Sequence, residues 1–209
     1  MALCFALGSL CFVVGPFPGY AELVGAEADA ITFFAGSILF TWGGLLQLRL
    51  SSPGAERWAA LVQSAGTLFF NVTTYQALHT SLSDPDYNRL VWRPDAFGSI
   101  CFLVSGVIAY RASPRHGLLP TRGEQGWWEP GVNLLGCVLF GIAAIAGYVV
   151  PSTGSILDLA AANWTTALGA ACFAACAMMT LVTGRTSKAR RRRLRHLGRT
   201  LEGDVRRVL

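Results

Sequence analysis

The side chains that could support binding or chemistry are few, and the most suggestive group lies inside an apolar segment. The stretch "FFNVTTYQALHTSLSD", residues 69–84, places Asn71, Thr74 and His79 near one face of a helix. An amide, a hydroxyl and an imidazole arranged in this way form a candidate polar site for a small molecule. In membrane proteins such groups more often bond to a neighbouring helix, and the sequence favours this second interpretation.

No signature of catalysis or of metal binding accompanies this group. The chain contains no Gly-x-Ser-x-Gly, His-Glu-x-x-His or phosphate-binding loop, and no charged residue lies in the middle of an apolar stretch. All six cysteines fall in apolar stretches. Cys172 and Cys176, one helical turn apart, have no nearby histidine or loop Cys-x-x-Cys to indicate a metal or redox centre. The sequence therefore predicts a protein that is not an enzyme and that carries neither metal nor cofactor.

The C-terminal segment, residues 185–209, is the most strongly charged part of the chain, with ten basic and two acidic residues. Its leucines and valines recur at helical spacing, which predicts a basic amphipathic helix on the cytoplasmic leaflet. The alternative is a topology signal with a disordered end. The residues assigned to anionic headgroups are Arg190, Arg191, Arg192, Arg193 and Arg195. Nucleic acid is not an expected partner, because the tail directly follows an apolar segment.

The elements that must position these groups are membrane helices. The chain of 209 residues is 53% hydrophobic and only 14% charged, and its charges are confined to short stretches between long apolar runs. Soluble domains carry about 25% charged residues. This distribution indicates a multi-pass membrane protein.

Each apolar run contains one copy of the pattern Gly-small-x-x-Phe. The glycine and phenylalanine lie four residues apart, so they share one helix face as a pit and a knob. Close packing of this kind is what holds helices together in lipid, and we expect these twelve residues to make helix–helix contacts. They are Gly8, Phe12, Gly36, Phe40, Gly66, Phe70, Gly98, Phe102, Gly136, Phe140, Gly169 and Phe173.

The predicted fold class is an all-α membrane protein with six transmembrane helices in three tandem hairpins. The helices are expected near residues 2–18, 30–48, 58–80, 95–111, 131–150 and 162–183. The hairpins cover 1–50, 58–111 and 130–184, followed by the tail at 185–209. The first helix could instead be a cleaved signal peptide, but it lacks a basic start and carries the repeated pattern. Basic residues in alternate connections predict that both termini lie in the cytoplasm. Three similar hairpins in the same orientation predict a rough pseudo-threefold arrangement about the membrane normal.

Two segments resemble a known family. Within residues 92–183, "WRPDAFGSICFLVSG" and "NLLGCVLFGIAAIAGYV" are similar to the YrhK-like family of small bacterial integral membrane proteins. The resemblance implies a multi-pass protein of the bacterial cytoplasmic (inner) membrane. It supplies no catalytic residue.

Two functions are consistent with these observations. The first is a non-enzymatic structural component that interacts with lipid, with a membrane protein partner or with copies of itself. The alternative is a carrier or pore for a small neutral or weakly polar molecule. A solid core would favour the first, and a polar cavity reaching Asn71 from the outer face would favour the second.

Overall fold

The computed structural model describes residues 1–17, 19–78, 83–113 and 128–208, except the side chains of Asp84 and of residues 185–208. It is 84% helical. The helices are α1 (Ala2–Val14), α2 (Tyr20–Val24), α3 (Ala26–Leu50), α4 (Ala55–Gln76), α5 (Asp84–Tyr87), α6 (Arg93–Ala112), α7 (Glu129–Ala146) and α8 (Leu159–Val208). A π-helical turn, Asn88–Trp92, joins α5 to α6, and the strands β1 (Val149–Val150) and β2 (Ser155–Ile156) pair antiparallel between α7 and α8.

Four helical segments of the described chain are long and apolar enough to cross a membrane, which is the architecture of an all-α membrane protein. They are Ala26–Leu50, Pro85–Ala112, Glu129–Ala146 and Leu159–Gly184. Of the two other long helices, α1 is apolar but has 13 residues, and α4 has 22 residues but carries buried hydroxyls. The polar content of α4 belongs to its packed face, as described below.

The fourth expected span begins earlier than the sequence analysis placed it. The helix was expected near residue 95, after Pro94, whereas the apolar helical segment starts at Pro85. A proline inside an α-helix removes one hydrogen bond and crowds the carbonyl four residues before it. The π-helical turn that ends at Trp92 lies directly before Pro94, and its wider turn accommodates this ring. Asp95 lies in the first turn of α6, close to where the sequence placed it, and inside the longer helical segment Pro85–Ala112.

Two other expected helix ends also differ. We expected the first helix to reach residue 18, but it ends at Val14, before Gly15 and Pro16. The fifth was expected to reach residue 150 but ends at Ala146, because the following valines pair with Ser155–Ile156 as strands.

The six long helices form a closed ring in chain order. Each packs against the helix before it and the helix after it, and α8 closes the ring against α1. The outer surface of the ring is apolar, with exposed side chains such as Leu7, Ile38, Leu68 and Leu168. The interior is instead built from phenylalanine, alanine, serine and threonine. Large apolar residues outside and small or hydroxylated residues inside are expected of a bundle surrounded by lipid.

The centre of the ring is a cluster of six phenylalanines, one from each long helix. They are Phe12, Phe40, Phe70, Phe102, Phe140 and Phe173, which we call the phenylalanine layer. Each of these rings lies within 6.1 Å, centroid to centroid, of at least one other, and the shortest separation is 5.0 Å between Phe70 and Phe102. Such separations are typical of favourable aromatic pairs.

The glycines of the repeated pattern lie against these rings in reciprocal pairs. A Cβ added to Gly66 would lie 2.7 Å from Phe102, and one added to Gly98 would lie 3.2 Å from Phe70. Gly8 and Gly36 have the same relation to Phe40 and Phe12, as do Gly136 and Gly169 to Phe173 and Phe140. Reciprocal contacts of this kind mean that α1 and α3, α4 and α6, and α7 and α8 pack as antiparallel pairs.

Candidate functional site

Two cavities lie inside the ring, one at each end. The first, of about 280 Å³, is lined by Met1, Gln47 and Thr180, and we call it the termini-side cavity. The second, of about 210 Å³, is lined by Ala77, Tyr87 and Gly147 near the opposite helix ends, and we call it the loop-side cavity. Each is large enough for water or for a small ligand.

The phenylalanine layer separates the two cavities. The termini-side cavity reaches Phe40 and Phe173, and the loop-side cavity reaches Phe12, Phe70 and Phe140. Rings from the two sides touch directly, for example Phe12 with Phe40 at 5.7 Å. A void of about 10 Å³ lies within the layer itself. One layer of aromatic side chains therefore stands between two opposed chambers.

The repeated pattern also accounts for one lining side chain from each long helix. The residue three positions before each pattern glycine lies one turn away on the same helix face. In α1, α4 and α7 these residues are Phe5, Gln63 and Asn133, respectively, and all three line the termini-side cavity. In α3, α6 and α8 they are Phe33, Asp95 and Thr166, respectively, and all three line the loop-side cavity. Because consecutive long helices run in opposite directions, the same position of the pattern lies alternately at one end of the bundle and at the other.

Asn71 and Thr74 bond to the neighbouring helix. The Asn71 side-chain amide donates a hydrogen bond to Thr41 Oγ1 at 2.9 Å, and the Thr74 and Ser37 hydroxyl oxygens are 2.8 Å apart. Both contacts join α4 to α3, as the favoured interpretation predicts. Thr74 also lines the loop-side cavity, whereas Asn71 does not. The buried Oδ1 of Asn71 has no partner among the described residues.

The remaining predicted groups lie outside the described residues. His79 belongs to the segment 79–82, so its position relative to Asn71 and Thr74 is not described. The side chains of Arg190, Arg191, Arg192, Arg193 and Arg195 lie in the part of α8 for which only the backbone is described.

Asp95 is the residue that sequence reasoning missed. The sequence analysis found no charged group inside an apolar run because it started the fourth helix at this residue. The longer helix instead carries the carboxyl group into the loop-side cavity. Within the described part of the chain Asp95 forms no ion pair, and the residue is partly buried. The signal available in the sequence was its position three residues before Gly98.

Aromatic side chains form the wall beside Asp95. Tyr87 lines the same cavity as the carboxyl group. The indole of Trp92 donates a hydrogen bond to the Ala144 carbonyl at 2.7 Å and packs edge-on against Tyr148. Trp92 thus lines the cavity and connects the π-helical turn to α7.

The Asn88 side chain forms two hydrogen bonds with the backbone of Val149. Its amide donates to the Val149 carbonyl at 2.7 Å, and its oxygen accepts from the Val149 amide at 3.1 Å. These bonds connect the π-helical turn to β1.

No protein-family model, curated protein or solved structure matches this chain.

Proposed function

We propose that the protein is a carrier or pore that moves a small molecule across a bacterial cytoplasmic membrane. One observation carries the proposal: two cavities, each lined mainly by apolar side chains with a few polar groups, oppose each other along the bundle, with one aromatic layer between them. A structural component needs no interior chambers. Transporters, in contrast, commonly hold their ligand near the middle of the bilayer, where repeated units meet.

The phenylalanine layer supplies the barrier in this proposal. A hydrophobic constriction stops water and polar solutes unless its side chains move. The six rings contact one another mainly edge-on or tilted, so a change in the rotamers of a few of them would join the two cavities. The structure then corresponds to the closed state.

The proposal includes six membrane crossings in three hairpins, with both termini in the cytoplasm. The positions of Met1 and Thr180 support it, since both residues line the same cavity and therefore lie at one end of the bundle. Arg49, Arg57 and Arg111 lie at the helix ends on that side, as cytoplasmic residues would. The basic tail would then contact anionic headgroups. A peptide of residues 185–209 should gain helix on anionic vesicles and lose it at high salt.

A second candidate is the structural or interaction role that the sequence analysis favoured. Two observations favour it: the phenylalanine layer leaves no continuous path through the bundle, and the loop-side cavity does not reach Asn71, as the carrier role was expected to require. In this role the exposed apolar surface would contact lipid, a membrane partner or another copy of the chain.

Solute flux into proteoliposomes separates the two candidates. We expect liposomes with the full chain to swell faster than protein-free liposomes in gradients of glycerol, urea or acetamide. Gln63→Trp fills the termini-side cavity and Thr166→Trp fills the loop-side cavity. Each variant should reduce the flux severalfold, because the cavities lie in series.

Leu68→Trp and Leu168→Trp are the matched controls, since both leucines are exposed on the outer surface. They should leave the flux unchanged. Swelling equal to that of protein-free liposomes with every solute would reject the carrier proposal and favour the structural role. Equal effects of Thr166→Trp and Leu168→Trp would also reject it.

A further inference from the structure

We propose that the loop-side cavity binds a small monovalent organic cation, a substituted ammonium with an apolar body, whose charge pairs with Asp95. This inference rests on the proposed function and names the ligand class of its loop-side site. It also changes the expectation of a neutral or weakly polar ligand, which depended on the absence of charge inside the spans.

The carboxyl group is the first argument. Asp95 faces the cavity and forms no ion pair within the described chain. Neither Lys nor Arg is among the described residues that line this cavity. An acidic group inside a membrane helix is costly and normally has a functional partner. A cationic ligand would supply the missing countercharge, whereas an anion would be repelled.

The aromatic wall is the second argument. Phe33, Tyr87 and Trp92 line the same cavity, and the phenylalanine layer forms its floor. Ring faces attract cations, and a quaternary or substituted ammonium suits such a wall because it needs few hydrogen bonds. Thr73, Thr74 and Thr166 also line the cavity. The hydroxyl groups of Thr73 and Thr74 already donate to the carbonyls of Val91 and Phe70, so they could offer an ammonium N–H group only an oxygen lone pair.

The same geometry disfavours a metal ion. Divalent cations require six or more oxygen ligands or a cluster of nitrogen and sulfur donors. Within the described residues no group of three His, Cys, Asp or Glu side chains converges. One carboxyl group in an apolar, aromatic chamber is instead sufficient for an organic monocation.

The distribution of charge at this end of the bundle also favours a cation. The described acidic residues at this end are Glu22, Glu27, Asp29, Asp86 and Asp158. The described basic residues at this end are Arg89 and Arg93, and Arg89 is paired with Asp86 at 3.3 Å. An excess of negative charge at this end of the bundle raises the local concentration of cations. The termini-side cavity also holds one carboxyl group, Glu129, but this one accepts a hydrogen bond from Thr180.

The test compares two probes of similar shape that differ in charge. Binding of benzylammonium and of benzyl alcohol to the purified full chain is measured by calorimetry in detergent at pH 7. We expect benzylammonium to bind at least about tenfold more tightly, as a charge pair in a desolvated site predicts. Asp95→Asn should remove this preference, and Asp95→Glu should retain most of it.

Glu27→Gln is the control, because it removes one negative charge from an exposed residue at the same end. It should leave the preference for benzylammonium intact. Thr166→Trp, which fills the cavity and leaves the carboxyl group in place, should prevent binding of both probes. This second variant keeps the test decisive if Asp95→Asn does not fold.

Equal binding of the two probes to the wild-type chain would overturn the inference but leave the proposed carrier function standing. A preference for benzylammonium that survives in Asp95→Asn or in Thr166→Trp would also overturn the inference and leave the carrier function standing. The proposed function fails separately, through the absence of solute flux in proteoliposomes.

Discussion

At the scale of single residues, packing in this protein depends on glycines that lie against aromatic rings. A Cβ added to Gly169 would lie 2.6 Å from Phe140 Cδ2, a distance that requires the ring to move. Since Phe140 also contacts Phe12, Phe70, Phe102 and Phe173, the ring has little room to do so. The same small-residue requirement recurs at the other pattern glycines.

Gly169→Ala should therefore lower the stability of the protein by about 1–3 kcal/mol, the usual cost of overpacking. Gly141→Ala is the matched control, because nothing lies within 4 Å of a Cβ added there. That variant should be neutral or slightly stabilising, since alanine favours the helix. Thermal unfolding of both variants in the same detergent measures the difference, and equal melting temperatures would contradict this account.

The hydrogen bonds of Asn71 and Thr74 belong to the same scale. Asn71→Leu removes the bond to Thr41 and should cost about 0.6 kcal/mol, the average for such bonds in membranes. A double-mutant cycle with Ser37→Ala and Thr74→Val should give a coupling energy of similar size. Because Asn71 does not line the loop-side cavity, Asn71→Leu should leave solute flux unchanged. A loss of flux without a loss of stability would restore Asn71 as a site residue.

At the scale of elements, the irregular connection between α5 and α6 determines where Asp95 lies. The π-helical turn lets one helical segment continue past Pro94, and it presents Asn88 to β1 and Trp92 to α7. Hydrogen bonds from the side chains of Asn88 and Trp92 to backbone carbonyls therefore hold the pair α4–α6 against the pair α7–α8 at this end. These bonds hold the wall of the loop-side cavity in place.

Asn88→Ala removes both bonds to Val149 and should cost about 1–3 kcal/mol. The clearest readout is hydrogen exchange of the Val149 amide, which donates to Asn88 Oδ1. We expect this amide to exchange faster in the variant, while amides in the middle of α7 keep their protection. Ser152→Ala, an exposed substitution in the same connection, should change neither. Unchanged exchange at Val149 in Asn88→Ala would show that the bonds do not hold this end.

At the scale of the whole molecule, six helices in chain order enclose two cavities and the phenylalanine layer, which is the barrier in the proposed carrier function. The barrier consists of one side chain from each helix, so every antiparallel pair contributes two rings to it. A change at any one pair can therefore affect the path between the chambers. If the proposed function is correct, the layer would act like the hydrophobic constrictions that gate channels by excluding water.

Phe102→Leu should widen this barrier, because Phe102 contacts Phe40, Phe70, Phe140 and Phe173 and is 2% exposed. We expect solute flux in proteoliposomes to rise severalfold, together with some loss of stability from the cavity created. The control is Phe97→Leu on the same helix, where the ring is 54% exposed. If both variants showed wild-type flux, the phenylalanine layer would not be the barrier.

The sequence by itself determined the class of the protein and the residues at its centre. Long apolar runs with confined charges indicate membrane helices because burying charge in lipid is costly. A glycine and a phenylalanine one turn apart must share a face, since helix geometry fixes that relation. These are local properties, so a reader of the sequence can derive them.

The tertiary structure alone decided where Asp95 lies and that two cavities exist. The position of Asp95 depends on a π-helical turn before Pro94, and no local pattern in the sequence predicts that turn. The cavities arise because the helices close into a ring and alternate in direction, which brings together residues distant in sequence, such as Phe33, Asp95 and Thr166. Enclosed space is a property of how helices pack together, and a single helix does not encode it.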